Sequence, residues 1–313
     1  MKINASMTSD PPVYRLFATT KTQLGDGGDL YHSHVSEDAL RRYPSVASLL
    51  SQFVHLRELQ ILWCEIGSLS MFKRFISGFP HLRHLEISDS SSEWTVPADP
   101  ELDVADDSDT SALNLDTIVA GNLREEDFAE LFVWLLSTPT AASLRAVRLW
   151  DLHHVTSGYR AALRNILQAS GGNLKTLAVS VRSFDDASCQ LSLATRLRSL
   201  TLLDCYKQPT QLSIALDQLR SPDLDTLTLD IGPIIQHDSE WLEQMCKDIE
   251  VVLSRSHFAK LRRLVICHTE EGNDRLRPMS IEELERRLPN WLPKLHARNI
   301  VEVSMWFTTN VFD

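Results

Sequence analysis

No run of eighteen apolar residues occurs in this chain, so the sequence offers no membrane-spanning helix. No apolar signal core follows the start MKINASMTSDPP, and no secretory leader is expected. The Asn4-Ala5-Ser6 triplet is therefore read as incidental. There is no C-x-x-C. Five cysteines, Cys64, Cys189, Cys205, Cys246 and Cys267, are odd in number and widely spaced. That pattern excludes a disulfide framework and points to reduced, buried thiols in an intracellular protein, cytoplasmic or nuclear. Positive charge is in short supply too, with 31 Lys and Arg against 42 Asp and Glu and a formal net charge of -11. Nucleic acid and anionic membrane surfaces are poor partners for such a chain.

Catalytic signatures are also missing. No H-E-x-x-H, G-x-S-x-G or P-loop occurs. The glycine-rich stretch Leu24 to Leu30, LGDGGDL, carries Asp26 and Asp29, which would repel a phosphate, so it reads as a loop. His32 and His34 alternate as on one side of a strand, but no cysteine or third histidine accompanies them. His153-His154 reads as turn surface. No metal, cofactor or catalytic residue is expected, and the chain is read as not an enzyme.

What is present is a pattern. In the 313 residues, Leu56 to Ile66 reads L-R-E-L-Q-I-L-W-C-E-I. Leu56, Leu59, Ile61, Cys64 and Ile66 match L-x-x-L-x-L-x-x-[NC]-x-L, the strand-and-turn half of a leucine-rich repeat. The same spacing places a third apolar position at Ile61, Ile87, Leu115, Leu149, Val179, Leu202, Leu229, Ile266 and Met305. The separations are 26, 28, 34, 30, 23, 27, 37 and 39 residues. Between these positions, 67–80, 124–137, 157–170, 209–219, 238–256 and 280–292 are amphipathic at helical spacing. The segment between Val179 and Leu202 is the shortest and leaves room for only a turn or two.

Strand and helix alternate over short connections, and units of this size bury their apolar faces only against neighbours. The expected fold is α/β: a leucine-rich-repeat solenoid, horseshoe-shaped, with a parallel concave sheet of about nine to ten strands and convex helices. One domain is expected over 1–313. It comprises a lead-in at 1–12, an N-terminal cap at 13–54 and irregular repeats over 55–308. Val13 to Ala18 reads as a first strand capping the stack, and Ser36 to Phe53 as a helix interrupted at Pro44. An acidic insertion, 97–109, carries six carboxylates and no base and reads as solvated.

Strand side chains alternate, so the residues between the apolar ones face outward. This assigns Leu62, Trp63, Glu86, Asp116, Arg148, Trp150, Asp204, Asp230 and His268 to the concave face as candidate partner-binding residues. The surface is mixed in charge. Exposed Trp is enriched at interface hot spots, which singles out Trp63 and Trp150. Trp306 and Phe307 read as packing near the chain end. Cys64 and Cys205 fall at the Asn/Cys position and read as buried struts. Arg57, Arg83, Arg145, Lys175, Arg198 and Arg262 each follow the first apolar residue of a repeat and stack into an edge ladder. It is read as solvated charge paired with acids such as Glu58, Asp223 and Asp225.

The stretches HLRELQILWCEI, RLRSLTLLDC, DLDTLTLDIG and KLRRLVICHT resemble the leucine-rich repeats of ribonuclease-inhibitor-like proteins. With the irregular spacing, they look most like the C-terminal region of fungal, basidiomycete-type F-box proteins. The resemblance covers roughly 13–313 and implies a non-catalytic protein-protein recognition module, the substrate-binding part of a ubiquitin-ligase subunit. No F-box helices are visible, so a ligase adaptor is expected only through an F-box outside these residues. The alternatives are an enzyme or small-ligand receptor with its site in the insertions at 19–35 or 97–109, or an oligomeric scaffold.

Overall fold

A computed structural model describes residues 15–18, 33–36, 56–62, 69–88, 113–121, 123, 125–150, 155–184, 190–205, 208–232, 239–268 and 279–305. Contacts divide the chain into two compact units, Met1–Ser170 and Gly171–Asp313.

The N-terminal unit opens with a two-stranded antiparallel sheet. Strand β1 (Arg15–Ala18) pairs with β2 (Ser33–Ser36), Phe17 lying opposite His34. The expected first strand therefore exists, but it joins this separate pair. The expected helix from Ser36 to Phe53 lies outside the described residues except for Ser36, which ends β2.

Four parallel strands follow in sequential order: β3 (Glu58–Leu62), β4 (His84–Ser88), β5 (Thr117–Gly121) and β6 (Ala146–Trp150). Helices intervene, α1 (Leu69–Ser77) after β3, and α2 (Glu125–Ser137) and the short α3 (Thr140–Ser143) after β5; α4 (Ser157–Ser170) follows β6. Helices α2 and α4 pack on each other. Phe128 anchors that contact, with ring centroids 4.5 Å from Phe132 and 4.8 Å from Tyr159, and Phe72 meets Trp134 edge-on at 6.3 Å. The inward strand residues Leu59, Ile61, Leu85, Ile87, Ile118, Ala120, Val147 and Leu149 are all buried.

The C-terminal unit repeats the arrangement with five parallel strands. They are β7 (Thr176–Ser180), β8 (Ser199–Leu203), β9 (Thr226–Asp230), β10 (Arg263–His268) and β11 (Val301–Met305), again in sequential order. Between β7 and β8 the described residues hold two 3-10 turns, Val181–Phe184 and Leu191–Leu193, in the shortest spacing of the sequence. Helices α5 (Pro209–Gln218), α6 (Ser239–Leu253), α7 (Ile281–Trp291) and α8 (Pro293–Ala297) follow. The inward strand residues Leu177, Val179, Leu200, Leu202, Leu227, Leu229, Leu264 and Ile266 are all buried, with Phe184, Phe258 and Trp291 buried behind them. Each such side chain contributes about 1.5–3 kcal/mol by leaving water.

All six helical segments expected from periodicity are helical, within a few residues at each end. The strand register is corrected at two places. Ile87 pairs with Ala120, so Leu115 holds the first apolar position of its pattern, not the third. The physical cause lies in α3. Buried Thr140 accepts the Leu115 N–H through Oγ1 at 3.2 Å and donates to the Leu113 carbonyl at 3.2 Å, while Ser143 Oγ donates to the Leu115 carbonyl at 2.7 Å. Those side chains hold 113–115 outside the sheet, and the strand begins at Thr117. At the other end, Ile266 pairs with Val303, so Val303, not Met305, holds the third position. A bond of 2.7 Å from the Leu264 N–H to the Ile300 carbonyl sets that register.

Candidate functional site

With the register set by pairing, the outward side chains form rows across each unit. In the N-terminal unit one row runs Gln60, Glu86, Val119, Arg148. Gln60 Nε2 donates to Glu86 Oε2. Glu86 is 8% exposed, and a carboxylate that buried needs partners. Gln60 supplies one, and the charge of Arg148 supplies attraction. Burial lowers the pKa of the Arg148 guanidinium, and Glu86 pulls it back up. Arginine stays charged through such shifts, so the row presents a positive head beside a buried carboxylate.

The adjacent row runs Ser88, Gly121, Trp150. A Cβ at Gly121 would lie 2.5 Å from Trp150 Cε2 and 2.7 Å from Cδ2. The indole therefore lies flat across the neighbouring strand, and only glycine admits it. Trp150 remains half-exposed. The paired strands β5 and β6 hold a broad aromatic plate next to Arg148.

In the C-terminal unit the first row is almost uncharged: Ala178, Thr201, Thr228, Val265 and Glu302. Charge has moved to the strand ends. Ser180 Oγ donates to Asp204 Oδ2 at 2.9 Å, and Asp230 Oδ2 accepts the Asp204 N–H at 3.4 Å. Asp230 Oδ1 accepts the Gly232 N–H at 2.9 Å. Asp204 has φ 58°, a left-handed conformation that aspartate tolerates better than most residues. Gly232, at φ 60°, takes the same region without a side-chain penalty. These turns aim the two carboxylates along the strand ends, where they satisfy backbone and hydroxyl donors.

The nine candidate residues separate accordingly. Glu86, Arg148 and Trp150 come together on the N-terminal unit, and Asp204 and Asp230 on the C-terminal one. Leu62 ends β3, and Trp63 lies outside the described residues. Asp116 is not on the face. The register correction places it at the strand-entry edge, its N–H donating to the Arg83 carbonyl at 2.8 Å and its carbonyl accepting from Arg145 at 2.8 Å. His268 is also displaced. It lies two residues beyond Ile266 on β10, and period-two alternation turns it to the same buried side. It is 1% exposed, with Nδ1 2.9 Å from the Gly232 carbonyl. Val119 and Gly121 take the face positions of β5 instead.

The edge ladder is interleaved with acids. Backbone bonds order Arg57, Arg83, Asp116, Arg145 in one unit and Lys175, Arg198, Asp225, Arg262 in the other. Arg262 Nε lies 3.4 Å from Asp225 Oδ1.

The three described thiols are buried. Cys205 is buried, its Sγ donating to the Leu202 carbonyl at 3.2 Å, and burial together with Asp230 and Asp204 raises its pKa. Burial, with nearby carboxylate charge, pushes Cys246 and Cys267 up to about 12. A nucleophilic cysteine needs the opposite shift. Cys64, Cys189, Trp306, Phe307, His32, His153 and the acidic segment 97–109 lie outside the described residues. Among the described residues, no group of three or more His, Cys, Asp or Glu could hold a metal ion, and no helix is long and apolar enough to cross a membrane. No family model and no curated protein matches the chain.

Proposed function

We propose that the protein is a non-catalytic recognition module of the leucine-rich-repeat type, taking a protein partner on the outward strand face of its N-terminal unit. The observation that carries the reading is Trp150 laid over Gly121, beside the Arg148–Glu86 row. An aromatic plate and an arginine on paired strands lose little entropy on binding, which is the usual makeup of an interface hot spot. The pattern L-x-x-L-x-L supports the repeat assignment, since its second and third apolar positions align strand by strand from β3 to β6 and from β7 to β10. In this reading the module is similar to the substrate-binding part of F-box proteins, and a ubiquitin-ligase adaptor would join through an F-box outside these residues.

The test is affinity purification with the full chain, followed by titration of the recovered partner. Trp150→Ala should weaken binding about thirtyfold, the roughly 2 kcal/mol of a hot spot, and Arg148→Ala should act in the same direction. Unchanged affinity in both variants, with unchanged melting curves, would remove the face from consideration.

A further inference from the structure

The chain is acidic, yet one edge of it is not. We infer that the strand-entry edge of the C-terminal unit is a docking surface for an acidic, extended segment of a partner protein, separate from the outward face proposed above.

The backbone builds this edge. The N–H of Arg198 donates to the Lys175 carbonyl, that of Asp225 to Arg198, and that of Arg262 to Asp225, so successive strand entries lie side by side. Arg196 sits on the turn leading into β8. Ser221 Oγ donates to the Thr195 and Leu197 carbonyls at 3.2 and 2.7 Å, which brings the next turn, with Arg220, against it. Arg255 reaches Asp217 from the following connection, and Lys260 Nζ lies 2.9 Å from Asp223 Oδ1. Arg298 completes the edge by donating to the carbonyls of Phe258, Ala259 and Leu261.

Eight exposed cations, Lys175, Arg196, Arg198, Arg220, Arg255, Lys260, Arg262 and Arg298, thus share the edge with Asp217, Asp223 and Asp225. That is an excess of five positive charges in a chain of net charge -11. The pairing is incomplete in a specific way. Arg220 and Arg298 spend their donors on neutral carbonyls and keep their full charge. Lys175 and Arg196 form no ion pair among the described residues, and Arg198 acts on the Asp223 carboxylate only through its charge, behind Lys260. His257, between Arg220 and Arg255, registers the field: burial lowers its pKa, and the two guanidinium groups lower it further.

Charge complementarity selects the occupant. The interleaved carboxylates oppose a polyphosphate, which carries a charge at every step of its backbone. An acidic peptide can space its carboxylates to meet the cations and leave Asp217, Asp223 and Asp225 facing neutral residues. Successive strand entries lie side by side here, which suits an extended chain.

The test uses the full chain and a fluorescent synthetic peptide of repeated Asp-Ala-Glu-Ser, read by anisotropy. Saturable binding should weaken steadily as salt rises. The triple variant Lys175→Glu, Arg196→Glu, Arg198→Glu should lose at least about tenfold in affinity. The milder Lys175→Gln, Arg196→Gln, Arg198→Gln should lose part of it, and Arg286→Glu on α7, outside the row, should lose none. Circular dichroism melting of each variant separates loss of the surface from loss of the fold. Absence of binding, binding indifferent to the reversals, or tighter binding of a short single-stranded oligonucleotide at the same salt would each overturn the proposal.

Discussion

The two units place the same strand pattern in register and use it differently. In the N-terminal unit the outward rows carry Gln60, Glu86, Arg148 and Trp150, and the helices behind are joined by the Phe128, Phe132 and Tyr159 rings. In the C-terminal unit the outward row is Ala178, Thr201, Thr228 and Val265, and charge is pushed to the two ends of the strands. The acidic end holds Asp204 and Asp230, and the basic end holds the arginine-rich rim. The lesson is that the inward positions are constrained by packing and look alike, whereas outward and terminal positions are free to diverge. The recognition proposed above is therefore to be sought in what differs between the units.

The comparison is sharpened most strongly at alkaline pH. All three described free thiols, Cys205, Cys246 and Cys267, belong to the C-terminal unit. Their folded pKa values are raised, so the folded state keeps the proton while an unfolded thiol, near 8.5, loses it. Stability is thus fully present below about pH 8.5 and is lost as pH climbs toward about 12, where Cys246 and Cys267 titrate when folded. Hydrogen exchange across that range should show peptides from 171–313 losing protection, and the combined Cys246→Ala, Cys267→Ala variant should lose it less steeply. Equal slopes would remove the thiols as the cause.

Next in size is the aromatic anchor. Phe128→Ala should cost about 3–5 kcal/mol in urea unfolding. The corresponding aliphatic change, Leu200→Ala, should cost about 2–5 kcal/mol. An effect of Phe128→Ala under about 1 kcal/mol would mean that the rings merely touch.

Gly121→Ala is smaller and more local. Its methyl group meets the indole at 2.5 Å, an overpacking worth about 1–3 kcal/mol, and it should displace Trp150. A changed tryptophan emission that is absent in the Trp150→Phe background is the expected signature. The C-terminal counterpart is Glu250, buried on α6, whose Oε1 accepts the Lys294 and Leu295 N–H groups at 2.6 and 3.3 Å. Glu250→Ala strips the first turn of α8 of its acceptor and should cost about 1–3 kcal/mol, with Glu250→Gln recovering part.

The smallest effect is expected at the surface. Arg263 binds Glu302 through two bonds, 3.0 and 2.6 Å, and this holds the Glu302 carboxyl below its ordinary range. Both side chains are about half exposed, so Arg263→Ala should change stability by less than about 1 kcal/mol. A larger loss would show that this pair organises β11.

Leucine spacing and helical periodicity were enough to read an α/β chain with strands at Glu58, His84, Ala146, Thr176, Ser199, Thr226 and Arg263, and six helical segments between them. These follow from local rules, since the period of apolar residues is set by which face must leave water. Registers at Thr117 and Val301 were beyond such rules. Leu113 to Ala120 offers two apolar alternations, Leu113/Leu115 and Ile118/Ala120, and Val301 to Met305 offers Val301/Val303 and Val303/Met305; hydrogen bonds made by Thr140, Ser143 and Leu264, distant in sequence, choose between them. The site divides the same way. Arg148 and Trp150 were legible as outward residues because their strand has one unambiguous frame. Asp116 and His268 were misplaced because register and one further step of alternation decide which way a side chain points. That Trp150 lies on a glycine, and that eight cations gather on one rim of an acidic chain, depends on which strands lie side by side. Only tertiary pairing determines that, because it brings together residues 20 to 40 positions apart whose identities carry no local signal of one another.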